Sequence, residues 1–164
     1  MLLQICQWLN DSAVGTAIRE SDLMFPAIET IHVLAIALLV GTVAILDLRL
    51  LGFVLRREPV SGIAGQILPW TWAGFAIMFA SGFLLFWAEA VKCYGNPAFR
   101  LKVLLLILVG LNPFIFHSTI YRRVSDWNTS QVTPVQARLA AVLSLSLWSG
   151  IIITGRAIAY FKSA

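Results

Sequence analysis

The chain has 164 residues, 59% hydrophobic and 12% charged, with a mean hydropathy of +0.85; soluble domains are about half apolar and a quarter charged, so the bilayer is the expected solvent. The net charge of +4 is scattered in short clusters, which suits headgroup anchoring and excludes a nucleic-acid platform. Each span consumes about 20 residues, so no sizeable soluble domain fits beside several spans, and one all-α transmembrane domain over residues 1–164 is predicted.

Residues 1–9 are apolar but lack a basic start and are followed by Asn10 and Asp11, so a cleaved signal peptide is not expected. Residues 2–18 read as an amphipathic helix lying at the interface, with Ile5, Trp8 and Leu9 on one side. The first span is predicted over 23–51, with Glu29 and His32 on one face near its start and Asp47 and Arg49 near its end. Arg56-Arg57-Glu58-Pro59 and Ser61-Gly62 supply turn chemistry before a second span over 68–91, which carries Glu89. Tyr94-Gly95-Asn96-Pro97 precedes a third span over 101–121, which opens with Lys102 and closes with Asn112-Pro113, His117 and Tyr121. A loop from Asp126 to Pro134, with its Trp-Asn-Thr-Ser run, leads to a fourth span over 139–161 that bears Arg156 and Tyr160. The result is a four-helix bundle with an N-terminal interfacial helix. Small residues at Ala37 and Gly41, and at Ser146, Gly150 and Thr154, allow close helix approach within the bundle or between protomers of a homo-oligomer.

Four spans put both termini and the loop after the second helix on one side. The paired arginines Arg56-Arg57 and Arg122-Arg123 mark the other side as cytoplasmic, while Lys102 and Arg156 lie inside spans and serve the interior; the termini are therefore expected on the periplasmic side of a bacterial inner membrane. Cys6 and Cys93 fall on that outer side. A disulfide and two unpaired small apolar residues both stay open there.

Charged groups at membrane depth cost about 2.5–3.5 kcal/mol each, so those retained need a partner or a function. Antiparallel packing brings Glu29, His32, Glu89, Lys102, Arg156 and Tyr160 to a similar depth near the outer leaflet, and these form the expected cofactor-binding set. Two ion pairs that merely lock the bundle are the competing reading, weakened because buried pairs are poor stabilisers. A second cluster, Asp47, Arg49, Asn112, His117 and Tyr121, gathers near the inner leaflet, where Pro113 leaves the Val109 carbonyl without its helical donor. An interfacial ion pair of Asp47 with Arg49 or Arg122, and a headgroup-level His117, is the alternative for that cluster. Glu-x-x-His occurs once, whereas a two-metal bundle site needs it twice with two further carboxylates. The two histidines differ in depth by roughly 15–20 Å, so one haem iron cannot join them. If His32 ligates haem iron, its partner is another group or none, and Met24 and Met78 are the sulfur candidates within the spans.

The stretch from Pro26 through Glu29, His32 and Gly41 to Asp47, Arg49 and Gly52 resembles an uncharacterised bacterial four-span membrane family. Asn96 to Lys102, Asn112 to His117, Leu147-Trp148 and Gly155-Arg156 extend that resemblance over nearly the whole chain, and it implies no activity. More distantly, His32, Gly41, Arg49, Lys102 and Phe116-His117 are similar to positions in small four-helix protoporphyrinogen oxidases and copper-resistance-type membrane domains. That likeness implies His32 as an axial ligand of b-type haem, with Lys102 and Arg156 as partners for propionates or an anionic substrate. Asp47 stands where that pattern has a proline, and its fourth-helix Asn-Glu-x-Pro is absent, so the oxidation itself is not carried over.

The expectation is an inner-membrane protein with a polar site near the outer leaflet that binds a cofactor or does redox work, haem b or quinone being the candidates. A non-enzymatic subunit of a larger membrane complex and a proton-linked carrier or small channel are the alternatives, and whether the chain is an enzyme stays open. No Gly-rich phosphate loop, nucleophile elbow or zinc-spaced cluster is present, which sets soluble catalysis aside.

Overall fold

The computed structural model describes residues 1–119, 121–126, 128 and 133–161. In chain order these form α1 (Leu2–Asp11), α2 (Ala13–Glu20), α3 (Met24–Leu51), α4 (Val60–Ala88), α5 (Ala90–Gly95), α6 (Pro97–Thr119), a 3-10 turn over Tyr121–Asp126, and α7 (Val135–Ala157). Among the described residues there is no strand. Most of the loop expected over 126–134, the Arg123 side chain and Lys162 lie outside the described residues.

The helices α3, α4, α6 and α7 are long and apolar enough to cross a membrane, and the chain is a multi-pass membrane protein built on a four-helix bundle. At 1.5 Å per residue the shorter pair, of 23 residues each, reaches about 35 Å, enough for the hydrocarbon layer. The apolar side chains of the spans cover the outside as well as the inside: Trp70, Trp72 and Phe79 of α4 and Phe114 of α6 are all more than half exposed. In lipid such a surface carries no penalty.

Local chemistry explains the helix boundaries. Residues 2–18 form two helices rather than one because Ser12, in extended conformation, caps α2: its Oγ accepts from the Gly15 N–H at 3.2 Å. The α4 helix begins at Val60, eight residues before the expected 68, because Pro59 precedes it as N-cap and its fixed φ suits a helix start. Ser61 and Gly62 are thus the first turn of a helix, not a loop. At the other end the expected second span breaks at Glu89 into α4 and the short α5. The α3 helix stops at Gly52, whose φ of +80° is the left-handed conformation that a C-terminal glycine supplies.

The α3 helix packs on α4 and α7, and α6 packs on α7. Ala35, Leu39, Met78, Val109, Leu147, Trp148 and Ile151 fill the space between them. Gly74 sets the α3–α4 separation, since a Cβ there would lie 3.1 Å from the Leu39 backbone nitrogen. Ala37 and Gly41 face outward instead, and a Cβ on Gly41 would meet nothing within 4 Å.

One end of the bundle is capped by α1, α2 and α5. The Trp87 indole donates to Ser12 Oγ at 2.8 Å, and Arg19 donates to the Asn10 and Ala88 carbonyls at 3.0 and 2.8 Å. Asn96, fully buried, donates to the Ile158 and Phe161 carbonyls and accepts from the Ala98 N–H, tying the start of α6 to the end of α7. Phe86 stacks on Phe99 with centroids 5.5 Å apart, joining α4 and α6 at the same end. Cys6 and Cys93 are both buried where α1 meets α5, and both thiols are free. The opposite end is closed by Leu50, Val60, Ala137 and Ala141.

Candidate functional site

His32 lies two turns into α3, half-buried, with Nδ1 at 2.9 Å from Ser81 Oγ of α4. Ser81 Oγ also lies 2.6 Å from the Ile77 carbonyl oxygen, as a hydroxyl bonding back along its own helix does. A hydroxyl has a single proton, and the carbonyl can only accept it. With that proton donated to the carbonyl, Ser81 Oγ accepts from His32 Nδ1–H, the tautomer in which the Nε2 lone pair is unused. This is how outer partners orient an imidazole that binds something through its other nitrogen. The ring also rests against α4 at Gly82, where a Cβ would come within 2.8 Å of His32 Cε1.

From α6, half-buried Lys102 brings its amine against α7 at the same end of the bundle. Among the described residues the Lys102 ammonium makes no hydrogen bond or ion pair. Gly155 of α7 makes room for it, because a Cβ there would sit 3.7 Å from Nζ. Each of the four spans thus contributes: α3 an imidazole with a free acceptor nitrogen, α6 a donor cation, α4 and α7 the glycines beside them. Met78, buried one turn from Ser81, and Ile151 belong to the apolar core that continues toward the bundle centre. The centre can accept one hydrogen bond or metal bond through Nε2 and donate to an anionic or carbonyl oxygen through Nζ.

The other expected members of the outer set are placed elsewhere. Glu29 is exposed, although only one turn from His32, because a three-residue step rotates its side chain about 60° off the same line. Glu89 binds Lys92, both carboxylate oxygens lying 3.0 Å from Nζ, and lines an open cleft of about 320 Å³ together with Arg19, Asp22 and Phe25. Arg156 is exposed, and Tyr160 is 79% exposed at the end of α7. The six-residue convergence reduces to His32 and Lys102. Ser81, Gly82 and Gly155 were not read as site residues from the sequence. A Ser-Gly pair inside a long apolar helix was the available signal.

The second cluster also divides. Arg49 is fully buried and donates through Nε and Nη2 to the Glu58 carbonyl at 3.0 and 2.9 Å, holding the α3–α4 connection, while its Nη1 has no partner. Asp47 is 6% exposed, lies near the buried Ser144 of α7 without a hydrogen bond to it, and its Oδ2 has no partner among the described residues. Asn112 donates to the Ala140 carbonyl at 3.1 Å. His117 is exposed and stacks on Tyr121 with centroids 5.1 Å apart. Among the described residues the one ion pair is Glu89–Lys92, so Asp47 pairs with neither Arg49 nor Arg122 there. No group of three or more His, Cys, Asp or Glu able to hold a metal ion occurs among the described residues.

Compared with known proteins, residues 6–161 match the family model described as Family of unknown function (DUF6644). Neither curated proteins nor solved structures give a match.

Proposed function

The chain belongs to the DUF6644 family, and we propose that it binds a lipid-soluble redox cofactor, b-type haem, at the His32–Lys102 centre. The observation that carries this reading is the chain of hydrogen bonds from His32 Nδ1 through Ser81 Oγ to the Ile77 carbonyl, which orients the ring and, in the tautomer with the proton on Nδ1, would make Nε2 available as a ligand. The donor set suits haem: His32 would hold the iron, and the unpartnered Lys102 would hold a propionate by a charge-assisted hydrogen bond. When bound, haem supplies one-electron chemistry. The chain's own part is to orient the imidazole, offer the cation and exclude water by packing Met78 and Ile151 beside the site.

A quinone is the second reading, favoured by the single imidazole at this level: Nε2 would accept from a quinol hydroxyl and Lys102 would donate to a quinone carbonyl. The site would lie in the periplasmic half of a bacterial inner membrane, a placement supported by the exposed arginines at the opposite end of the bundle.

The test is the absorption spectrum of protein purified in mild detergent from cells supplied with a haem precursor. A Soret band that vanishes in His32→Ala is expected. A colourless protein whose lipid extract contains quinone, lost in His32→Ala, would favour the quinone; a colourless protein without quinone would end both readings.

A further inference from the structure

The end of the bundle away from the cap contains a titratable group that the His32–Lys102 centre does not use. Asp47 is 6% exposed, enclosed between α3 and α7, and its Oδ2 has no hydrogen-bond partner. An ionised carboxylate enclosed at membrane depth is tolerated only with a counter-charge.

The neighbouring elements supply none among the described residues. On α3 itself Arg49 lies two residues on, about 200° around the helix; its Nε and Nη2 bond the Glu58 carbonyl, its Nη1 has no partner, and it makes no ion pair with Asp47 among the described residues. The α4 helix, from Val60 to Ala88, has no ionisable side chain at all. On α7 the nearby polar group is the buried Ser144, which makes no hydrogen bond to Asp47 among the described residues, and the nearest cation along that helix, Arg138, is exposed nearer its start. On α6 and the turn after it, His117 and Arg122 are exposed and Tyr121 is stacked on His117. Arg57 is exposed, and Arg56 bonds the Gly52 carbonyl.

The remaining polar groups close by are uncharged. Ala140 and Ser144 are successive positions on one face of α7, so the Asn112 amide at Ala140 lies about one turn from the Asp47 carboxyl at Ser144. Pro113 has no N–H, which leaves the buried Val109 carbonyl without its helical donor on that side of the bundle. A carboxyl with one bare oxygen, a hydroxyl and an amide form a group in which the missing counter-charge has the size of a proton.

We infer that Asp47 is a proton-binding site, the buried Asp47 carboxyl holding its proton beside Ser144 while the α3–α7 seam is closed and exchanging it toward the end of the bundle that carries Arg56, Arg57 and Arg122. The proton moves between the carboxyl oxygen and water; no bond to carbon changes and no electrons are transferred. The site stands independently of the cofactor reading, since it shares no residue with it.

The experiment is infrared spectroscopy of the purified full-length chain in lipid nanodiscs at neutral pH, in H2O and D2O. A C=O stretching band of a protonated carboxyl that shifts on deuteration, is lost in Asp47→Asn and moves in frequency in Ser144→Ala is expected. Asn reproduces the shape and neutrality of the protonated acid, so Asp47→Asn should fold with a melting temperature close to the parent's. Absence of the band in the parent, or its persistence in Asp47→Asn, overturns the inference. Should Asp47→Asn not be recovered, Ser144→Ala decides: a displaced band supports the site, and an unmoved one overturns it.

Discussion

At the level of single residues, the site depends on where a Cβ is missing. A methyl group on Gly82 would come within 2.8 Å of His32 Cε1, a separation that forces the imidazole to move and breaks its alignment with Ser81. Overpacking of this kind costs about 1–3 kcal/mol, whereas replacing a helical glycine with alanine recovers about 1 kcal/mol. These two effects largely offset, so Gly82→Ala should leave thermal stability within a few degrees of the parent while cofactor occupancy, read by absorbance or by extracted quinone, falls at least tenfold. Retention of full occupancy would mean that the imidazole orientation is not what holds the ligand. The same residue-level logic explains how much of the site the sequence carried. His32 and Lys102 stood out because ionisable groups are costly in an apolar helix. Gly82 and Gly155 did not, because a glycine's contribution is space, and space becomes visible only once the neighbouring helix is in position. Glu29 and Arg156 drew attention by their charge, yet each lies on a helix face turned away from the interior.

At the scale of elements, a long apolar stretch can be recognised without tertiary information, since in lipid the whole circumference of a helix is apolar and no period has to be read. The four spans were therefore clear, and their ends were less so. Ser61-Gly62 carries turn chemistry, but Pro59 two residues earlier outweighs it as a helix start. Ser12 divides the N-terminal segment for a similar reason and has a second role, accepting from the Trp87 indole of α4. Ser12→Ala removes both bonds and the one its hydroxyl donates to the Leu9 carbonyl at 2.6 Å, and a lost N-cap alone costs about 1 kcal/mol. Cys93 reports on this cap. Burial, and then the Glu89 carboxylate beside it, push its thiol from 9.0 up to about 11. Because the thiolate is the nucleophile, alkylation of Cys93 in the intact protein should be slow at neutral pH and accelerate only as pH rises through that window. The linkage has the matching sign: a folded-state value above the unfolded one gives a contribution complete below pH 9.0 and lost as pH climbs toward about 11. In Ser12→Ala, alkylation followed by mass spectrometry should be several-fold faster at neutral pH and begin at lower pH, because a loosened cap admits water to the thiol.

For the whole molecule, orientation decides which compartment each polar centre faces. Counting basic residues barely separates the two ends; engagement separates them further, although Arg156 at the capped end is exposed and Arg56 at the other bonds the Gly52 carbonyl. At the capped end Arg19 is bound to the Asn10 and Ala88 carbonyls, Lys92 to Glu89, and Arg100 to the Tyr94 carbonyl with its guanidinium 5.3 Å from the Tyr94 ring centroid. At the opposite end Arg57, Arg122 and Arg138 are exposed, in position to meet anionic headgroups. Cations that stay on the cytoplasmic side set topology, so the capped end should face the periplasm with both termini there. A C-terminal alkaline phosphatase fusion should be active and a C-terminal green fluorescent protein fusion dark. Replacing Arg56, Arg57 and Arg122 together with Gln should weaken that preference and yield a mixed population, since the capped-end cations would then compete. The opposite pattern in the parent, a dark phosphatase and a bright fluorescent fusion, would put the His32–Lys102 centre in the cytoplasmic half and turn Asp47 toward the outside, exchanging the compartments that electrons and protons could reach.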